Sequence, residues 1–146
     1  MSQVVDLIAL LVSQKGDKYE FGVEVSASDS DPKAFDCAEL VEWACGRLKI
    51  KPVMPDGSWI QASHCKKHGL IISPEKALVV PGALLFRFSS NPFTKKRPKN
   101  AHVAVSLGNG MTIEARDKKH GVGVFSASNR GWTHGGLIPG VNYVSG

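Results

Sequence analysis

The sequence predicts an α+β domain in which N-terminal helices pack on a small antiparallel β-sheet. Apolar residues recur at helical spacing through the first half of the chain. After Pro81-Gly82 they alternate or run together, as they do in strands. The length of 146 residues suits one domain with a core better than two, and no internal boundary is evident. We therefore expect one domain over residues 1–146.

The helical part is expected to contain three helices and one helical turn. Asp36 is a good N-cap for the second helix, whose residues Leu40, Val41 and Ala44 form an apolar stripe. Gly69 stands where a glycine commonly ends a helix. The expected segments are helices over 3–14 (with Ser2 as its cap), 37–48 and 58–68, a helical turn over 73–77, and a loop over 17–34.

The sheet is expected to contain four strands from the second half of the chain. Each is a short run rich in β-branched or aromatic residues and is bounded by Gly, Asn, Ser or Pro. The expected strands cover 84–88, 102–107, 111–116 and 122–126, with a basic loop over 89–100 between the first two.

Composition and charge narrow the classes of function. Three cysteines cannot form a disulfide framework, and no apolar run resembles a membrane span or a secretory signal. We therefore expect synthesis in the cytoplasm and delivery by another component, if the protein acts outside it. The net charge is +5, with a cluster at Lys95, Lys96, Arg97 and Lys99. This cluster could meet nucleic acid, an anionic membrane or an anionic polymer, or it could be a solvated loop. The absence of aromatic residues interleaved with the basic ones disfavours nucleic acid.

Cys37 is the strongest candidate for a catalytic nucleophile. It follows the capping Asp36 at the head of an amphipathic helix. Unpaired N–H groups and the helix dipole favour a thiolate there, and the thiolate is the nucleophilic form of cysteine. The alternative is a small buried side chain at a helix start.

The register of two predicted strands brings a possible base and its acid together. A three-residue loop at 108–110 pairs Leu107 with Met111 and places every branched apolar residue of both strands on one face. His102 and Glu114 then lie on the other face as diagonal neighbours, about 7–8 Å apart between Cα atoms. A carboxylate that accepts from one imidazole nitrogen leaves the other nitrogen to face Cys37, which predicts a Cys–His–Glu site. Taken alone, His102 could instead be a polar residue on the solvent side of a half-buried strand, and Glu114 a cross-strand partner of Arg116 or Lys118.

Other candidates are weaker. His64 and His68 lie one helical turn apart, but no second pair of zinc ligands accompanies them. We predict no metal and no cofactor. Cys45 is expected in the core, and the remaining cysteine, histidines and tryptophans receive no catalytic role: Cys65, His120, His134, Trp43, Trp59 and Trp132.

Four motifs, in order along the chain, resemble the NlpC/P60 family of papain-like cysteine peptidases. Members carry Asp-Cys-Ser-Gly-Leu-Val at a helix start and His-Val-Gly-Ile-Tyr-x-Gly-x-Gly in a strand, with a third polar residue twelve positions after that histidine. The matching segments are Gly16-Asp17-Lys18-Tyr19-Glu20-Phe21-Gly22, Phe35-Asp36-Cys37-Ala38-Glu39-Leu40-Val41, Pro81-Gly82-Ala83-Leu84-Leu85-Phe86 and the strand from His102 to Gly110, with Glu114 as the third residue. Ala38, Glu39 and Ala83 depart from the usual Ser, Gly and Asp.

The resemblance implies a papain-like fold and cleavage of an amide bond in bacterial cell-wall (peptidoglycan) peptides, commonly beside a γ-D-glutamyl residue. Cys37 would attack to give a thioester, His102 would act as the base, and Glu114 would orient it. Tyr19 and Asp36 match residues that family members use near the scissile bond or for a substrate amine. The backbone N–H of Cys37 and the Tyr19 hydroxyl would hold the oxyanion.

The biological setting suggested by this resemblance is a phage endolysin or an injected antibacterial effector, acting as a monomer without inserting into a membrane. The alternatives are an acyl transferase and a non-catalytic binding or structural module of a phage particle. The departures at Ala38, Glu39 and Ala83 keep the non-catalytic alternative open.

Overall fold

The computed structural model describes residues 3–143, in which helices pack on an antiparallel sheet as predicted. The elements are α1 (Gln3–Val12), β1 (Lys18–Tyr19), β2 (Ala34–Phe35), α2 (Cys37–Arg47), α3 (Ser58–Lys67), β3 (Ile71–Ile72), α4 (Pro74–Leu78), β4 (Leu84–Phe88), β5 (Ala101–Ser106), β6 (Met111–Ala115), β7 (Val122–Ser126) and β8 (His134–Gly136). The sheet has six strands in the order β3-β8-β4-β5-β6-β7, and β1 and β2 form a separate parallel pair. Within residues 3–143, none of the helices is long and apolar enough to cross a bilayer.

All the predicted helices and strands are present, and the proposed cap Ser2 lies outside the described residues. Four short strands were not predicted: β1, β2, β3 and β8. Segments of two or three residues carry no measurable period, so hydrophobic patterning does not reveal them. The sequence of β8, His-Gly-Gly, even argues against a strand. Its glycines are needed because a Cβ on Gly136 would lie 2.9 Å from the sulfur of Cys65, which packs against this strand.

The main core lies between the helices and one face of the sheet, here called the helix face. Helix α2 is buried on nearly every side, and its apolar residues pack with those of β4, β5 and β6. The opposite face carries His102 and Glu114 together with Leu85, and it too is largely buried. Cys45 is in the core as predicted, and Trp43 is buried with its indole N–H donating to the carbonyl of Asp29 at 2.8 Å.

The loop between β5 and β6 has the three residues that the sequence predicted. Val105 pairs with Ile113, and the N–H of Leu107 donates to the carbonyl of Met111 at 2.9 Å. Gly108 and Gly110 adopt φ angles of 82° and 83°, a region that side chains disfavour. This loop fixes the register on which the position of His102 relative to Glu114 depends.

The two loop glycines should differ in their tolerance of alanine. Gly110→Ala is expected to cost about 1 kcal/mol of unfolding free energy, because the left-handed backbone strains an L-residue. Gly108→Ala should cost at least about 1 kcal/mol more, because its Cβ would lie 2.6 Å from Pro81 Cγ, whereas a Cβ on Gly110 meets nothing within 4 Å. Urea denaturation of both variants measures the difference. Equal losses would show that Pro81 moves aside freely.

Candidate active site

Cys37 is the first residue of α2 and opens into a cleft of about 450 Å³. Asp36 caps the helix by accepting from the N–H of Glu39 at 2.8 Å, so the predicted cap is confirmed. Cys37 is half-buried and is not in a disulfide. The backbone N–H of Val103 in β5 interacts with its sulfur and stabilises the thiolate. The sulfur therefore lies beside Val103, the residue that directly follows His102 in β5.

The thiol does not have the lowered pKa that the helix start led us to expect. Burial raises the pKa of Cys37 to about 11, and the charge of Asp36 acts in the same direction. Backbone N–H groups of Val103 and Ala38 oppose this rise without cancelling it. Desolvation outweighs the dipole because, within residues 3–143, no cation is among the groups that lower the pKa of this thiol, although the charge of Arg87 interacts with it more weakly. In the resting protein the thiol is neutral at pH 7.

Tyr19 and Asp36 line the same cleft as Cys37, so these three predicted residues are brought together. The second carboxylate oxygen of Asp36 accepts from the N–H of Gly22 at 3.1 Å, which holds the segment after β1 beside the helix start. Burial, with the nearby charges of Cys37 and Asp36, raises the pKa of Tyr19 to about 12. The Tyr19 hydroxyl therefore keeps its proton and remains a hydrogen-bond donor at the cleft.

His102 and Glu114 meet as the strand register predicted. The Nε2 atom of His102 lies 2.8 Å from Oε1 of Glu114, and both residues are buried. Hydrogen bonds from His102, Arg130 and Thr112 outweigh burial and lower the pKa of Glu114 to about 2. An ionised carboxylate can only accept, so the imidazole carries a proton on Nε2. In the neutral ring Nδ1 is then the free acceptor.

Two residues that contact Glu114, Arg130 and Thr112, were not predicted from the sequence. Arg130 forms a bidentate ion pair with Glu114, in which Nη2 lies 2.6 Å from Oε1 and Nη1 lies 3.2 Å from Oε2. The Thr112 hydroxyl donates a short hydrogen bond to Oε2. Arg130 lies in the irregular segment between β7 and β8, where no period ties it to Glu114. Thr112 shares the face of Glu114 two residues along β6 and could have been found by alternation.

Trp132 covers the imidazole of His102. The two rings stack with centroids 6.1 Å apart and an interplanar angle of 23°. Guanidinium groups of Arg130 and Arg87 lie 4.9 Å and 5.9 Å from the centroid of the same indole. His102 is only 7% exposed, so the alternative of a histidine on a solvent-facing strand surface is wrong. The tryptophan, which received no catalytic role from the sequence, restricts the ring that Glu114 orients.

The cleft that contains Cys37 and the hydrogen-bonded pair of His102 and Glu114 lie next to each other at the start of β5. Ala101 lines the cleft with Cys37, whereas His102, the next residue, is outside the lining and lies under Trp132. Arg87 is the cross-strand partner of His102, and its charge interacts with both Cys37 and Glu114. The structure thus places the Cys37 thiol, at the start of α2, beside Ala101 and Val103, the two chain neighbours of the oriented His102 in β5.

The closest cluster of potential metal ligands among the described residues does not include Cys37, His102 or Glu114. Among residues 3–143, one set of three potential ligands clusters closely: Glu39, Glu42 and Asp56. The carboxyl groups of Glu39 and Glu42 interact, and burial raises the pKa of both. The rings of His64 and His68 contact each other edge-to-face at 5.0 Å, and this pair is not part of such a set.

The buried Glu39 should make stability fall as pH rises. Burial, followed by the hydrogen bond to Glu42, raises its pKa to about 8, while its Oε2 accepts from the N–H of Val25 at 2.7 Å. Between about pH 4.5 and 8 the folded state binds more protons than the unfolded state, so the unfolding free energy decreases with pH. Glu39→Gln keeps an acceptor for Val25 and should be more stable than the wild type at pH 9, by about 1 kcal/mol or more. Thermal unfolding at pH 5 and pH 9 measures this. A pH dependence that the substitution leaves unchanged would contradict the assignment.

Comparisons with known proteins agree with the fold and with the order of the motifs. The sequence profile of the NlpC/P60 family matches residues 16–138. A comparison with curated proteins finds no match. Structural similarity extends to NlpC1 from Trichomonas vaginalis (TM-score 0.71, 22% identity, 97% of this chain and 45% of that one). It also extends to the NlpC/p60 domain of the peptidoglycan hydrolase SagA (TM-score 0.68, 22% identity, 93% of this chain and 99% of that one). The peptidoglycan hydrolase RipB from Mycobacterium tuberculosis is similar as well (TM-score 0.70, 25% identity, 96% of this chain and 65% of that one).

Some of these relatives are much longer proteins, since the chain spans less than half of NlpC1 and about two thirds of RipB. The structural neighbours confirm the predicted papain-like fold with helices on an antiparallel sheet. The profile covers most of the sequence, including Cys37, His102 and Glu114. The chain belongs to the NlpC/P60 family.

Proposed function

We propose that the protein is a cysteine endopeptidase that cleaves an amide bond in the stem peptides of bacterial peptidoglycan. The observation that carries this proposal is that Cys37, which faces the cleft, contacts the backbone N–H of Val103. Val103 directly follows His102, whose ring is oriented by Glu114. Membership of the NlpC/P60 family and similarity to two peptidoglycan hydrolase structures supply the substrate class.

The proposed first step is attack by the Cys37 sulfur on the carbonyl carbon of the substrate. Because the thiol is neutral at rest, its proton moves to Nδ1 of His102 as the carbon–sulfur bond forms. Glu114 stabilises the resulting imidazolium through Nε2–H. The carbon–nitrogen bond then breaks, the leaving amine takes the proton from His102, and a thioester remains on Cys37.

Water completes the proposed cycle. His102 accepts a proton from the water as the water oxygen attacks the thioester carbonyl. The carbon–sulfur bond then breaks, the carboxylic acid product leaves, and the proton moves from His102 to the sulfur to restore the Cys37 thiol. The backbone N–H of Cys37 lies in the first turn of α2, where helices leave N–H groups without helical acceptors. Together with the protonated Tyr19 hydroxyl, it can hold the oxyanion. Asp36 is suited to a substrate amine on the same wall.

The three residues that depart from the family motifs, Ala38, Glu39 and Ala83, are compatible with this function. Ala38 and Ala83 are buried, and the Glu39 side chain anchors Val25. None of the three removes the thiol, the imidazole or the carboxylate. Action as a phage lysin or a delivered antibacterial effector stays a prediction.

The test is digestion of purified peptidoglycan of several chemotypes, followed by mass spectrometry of the released fragments. Wild-type protein should release peptides with one new amino terminus and one new carboxyl terminus at a single type of bond. Cys37→Ala should release none. Absence of release by the wild type from every wall type would overturn the proposal, and attachment of an added amine to the products would identify an acyl transferase.

A further inference from the structure

The basic loop between β4 and β5, residues 89–100, forms part of the wall of the cleft that contains Cys37. Arg97 and Lys99 line this cleft, as does Trp59 of α3. From its composition this loop could be a solvated segment or a contact for an anionic polymer or membrane. Its position gives the positive charge a defined place beside the candidate nucleophile.

The loop is held against α3 by packing. The Arg97 guanidinium carbon lies 4.2 Å from the ring centroid of Trp59, and Lys66 Nζ lies 4.4 Å from that of Phe93. Pro92 and Pro98 are buried, and hydrogen bonds between Ser89 and Asn100 close the loop at its base. Arg97 is therefore positioned before any ligand arrives, which reduces the entropy lost on binding.

The guanidinium of Arg97 has unused hydrogen-bonding capacity. Stacking engages its face and leaves its N–H donors at the edge. Within residues 3–143 it forms no hydrogen bond or ion pair, and the same is true of Lys99. Asp56 lines the same cleft but does not pair with either cation.

The cleft also carries negative charge, contributed by Asp36 beside Tyr19 and by Asp56. A ligand that places a cationic amine near Asp36 and an anionic group near Arg97 would satisfy charges of both signs. A planar carboxylate matches the paired donors of a guanidinium, and such charge-assisted bonds are stronger than neutral ones.

We propose that Arg97, supported by Lys99, binds a free carboxylate of the substrate peptide, so that the protein selects peptides in which this group is not amidated. The inference rests on the proposed function for the type of peptide, but it concerns binding and can be tested without catalysis. Its consequence is selectivity among wall peptides that differ by one carboxamide.

The experiment uses the Cys37→Ala protein and two synthetic peptides, both L-alanyl-γ-D-glutamyl-L-lysine amide. In one peptide the α-carboxyl group of the glutamyl residue is free, and in the other it is a carboxamide. Calorimetric titration should show that the free carboxylate binds about tenfold more tightly. Adding Arg97→Met should bring the ratio of the two dissociation constants close to one, mainly by weakening binding of the carboxylate peptide.

Lys95→Met is the matched control, because Lys95 is an exposed cation of the same loop that does not line the cleft. This variant should keep the tenfold ratio. Equal affinities for the two peptides, no binding of either, or an equal loss of the ratio in Lys95→Met would each overturn the proposal.

The proposed hydrolysis is tested separately, by the release of peptides from peptidoglycan. If the carboxylate peptide binds selectively and wild-type protein releases nothing from any peptidoglycan, the binding site stands and the hydrolase proposal fails. If the wild type cleaves peptidoglycan but the two peptides bind equally, the hydrolase stands and the carboxylate site fails.

Discussion

Replacing Cys37 with alanine is expected to abolish the release of peptides from peptidoglycan, with a loss of about four orders of magnitude or more. The sulfur is the atom that forms the thioester, so no other group of the cleft can substitute for it. Because Cys37 lies at the helix start and is half-buried, alanine should leave the fold intact. Mass spectrometry of digests, together with thermal unfolding of the same samples, separates chemistry from stability.

Cys45→Ala is the matched control for this substitution. Cys45 lies on the same helix, two turns further on, and is buried in the core away from the cleft. It should retain cleavage activity at temperatures where it is folded. His102→Gln should be nearly as damaging as Cys37→Ala, since the neutral thiol needs an acceptor for its proton. Cleavage by Cys37→Ala at the wild-type rate would remove the thiol from the mechanism.

The pair formed by His102 and Glu114 could be predicted because both residues lie on strands. Alternation assigns each strand residue to a face, and the requirement that Val105 and Ile113 share the buried face selects one loop length. Those two local rules placed two residues, twelve positions apart in the chain, in hydrogen-bond contact. Helix capping predicted Asp36 and the position of Cys37 in the same local way.

Arg130 and the wall formed by Arg97 could not be predicted because both lie in irregular segments. Their positions depend on how the loops pack against the helices and the sheet. Arg130 stacks on Trp132 of the same segment, and Arg97 stacks on Trp59 of α3. The pKa of Cys37 was misjudged for a related reason. The helix dipole is a local property that sequence reveals, whereas desolvation depends on the complete packing around the sulfur.

The ionised Glu114 should make a large contribution to stability through its hydrogen bonds with His102, Arg130 and Thr112. Glu114 is fully buried, so its charge loses its hydration and depends on protein groups. Its pKa is about 2 in the folded protein and near 4.5 in the unfolded chain. A carboxyl group with a lowered folded-state pKa stabilises the protein above the unfolded-state pKa, by about 3 kcal/mol here. This contribution is lost as pH falls from about 4.5 to 2.

Arg130→Met is expected to lower the unfolding free energy at pH 7 by about 3–5 kcal/mol, because it leaves a buried carboxylate with one cationic partner fewer. The acid limb of the stability curve should also move to higher pH, since Glu114 is then easier to protonate. Arg116→Met is the matched control: it removes the same charge from a residue stacked on Phe125, at 5.0 Å, without contact to Glu114. A similar loss in both variants would assign the effect to net charge.

The double variant Arg130→Met with Glu114→Gln separates stability from positioning. Removing both charges should recover much of the stability lost in Arg130→Met, because no unpaired buried carboxylate remains. Cleavage should not recover, because a neutral glutamine stabilises the imidazolium of His102 far less than a carboxylate does. The measurements are urea denaturation at pH 7 and the pH dependence of peptide release at temperatures where each variant is folded. Recovery of cleavage together with stability would show that Glu114 serves only the fold and that His102 needs no charged partner.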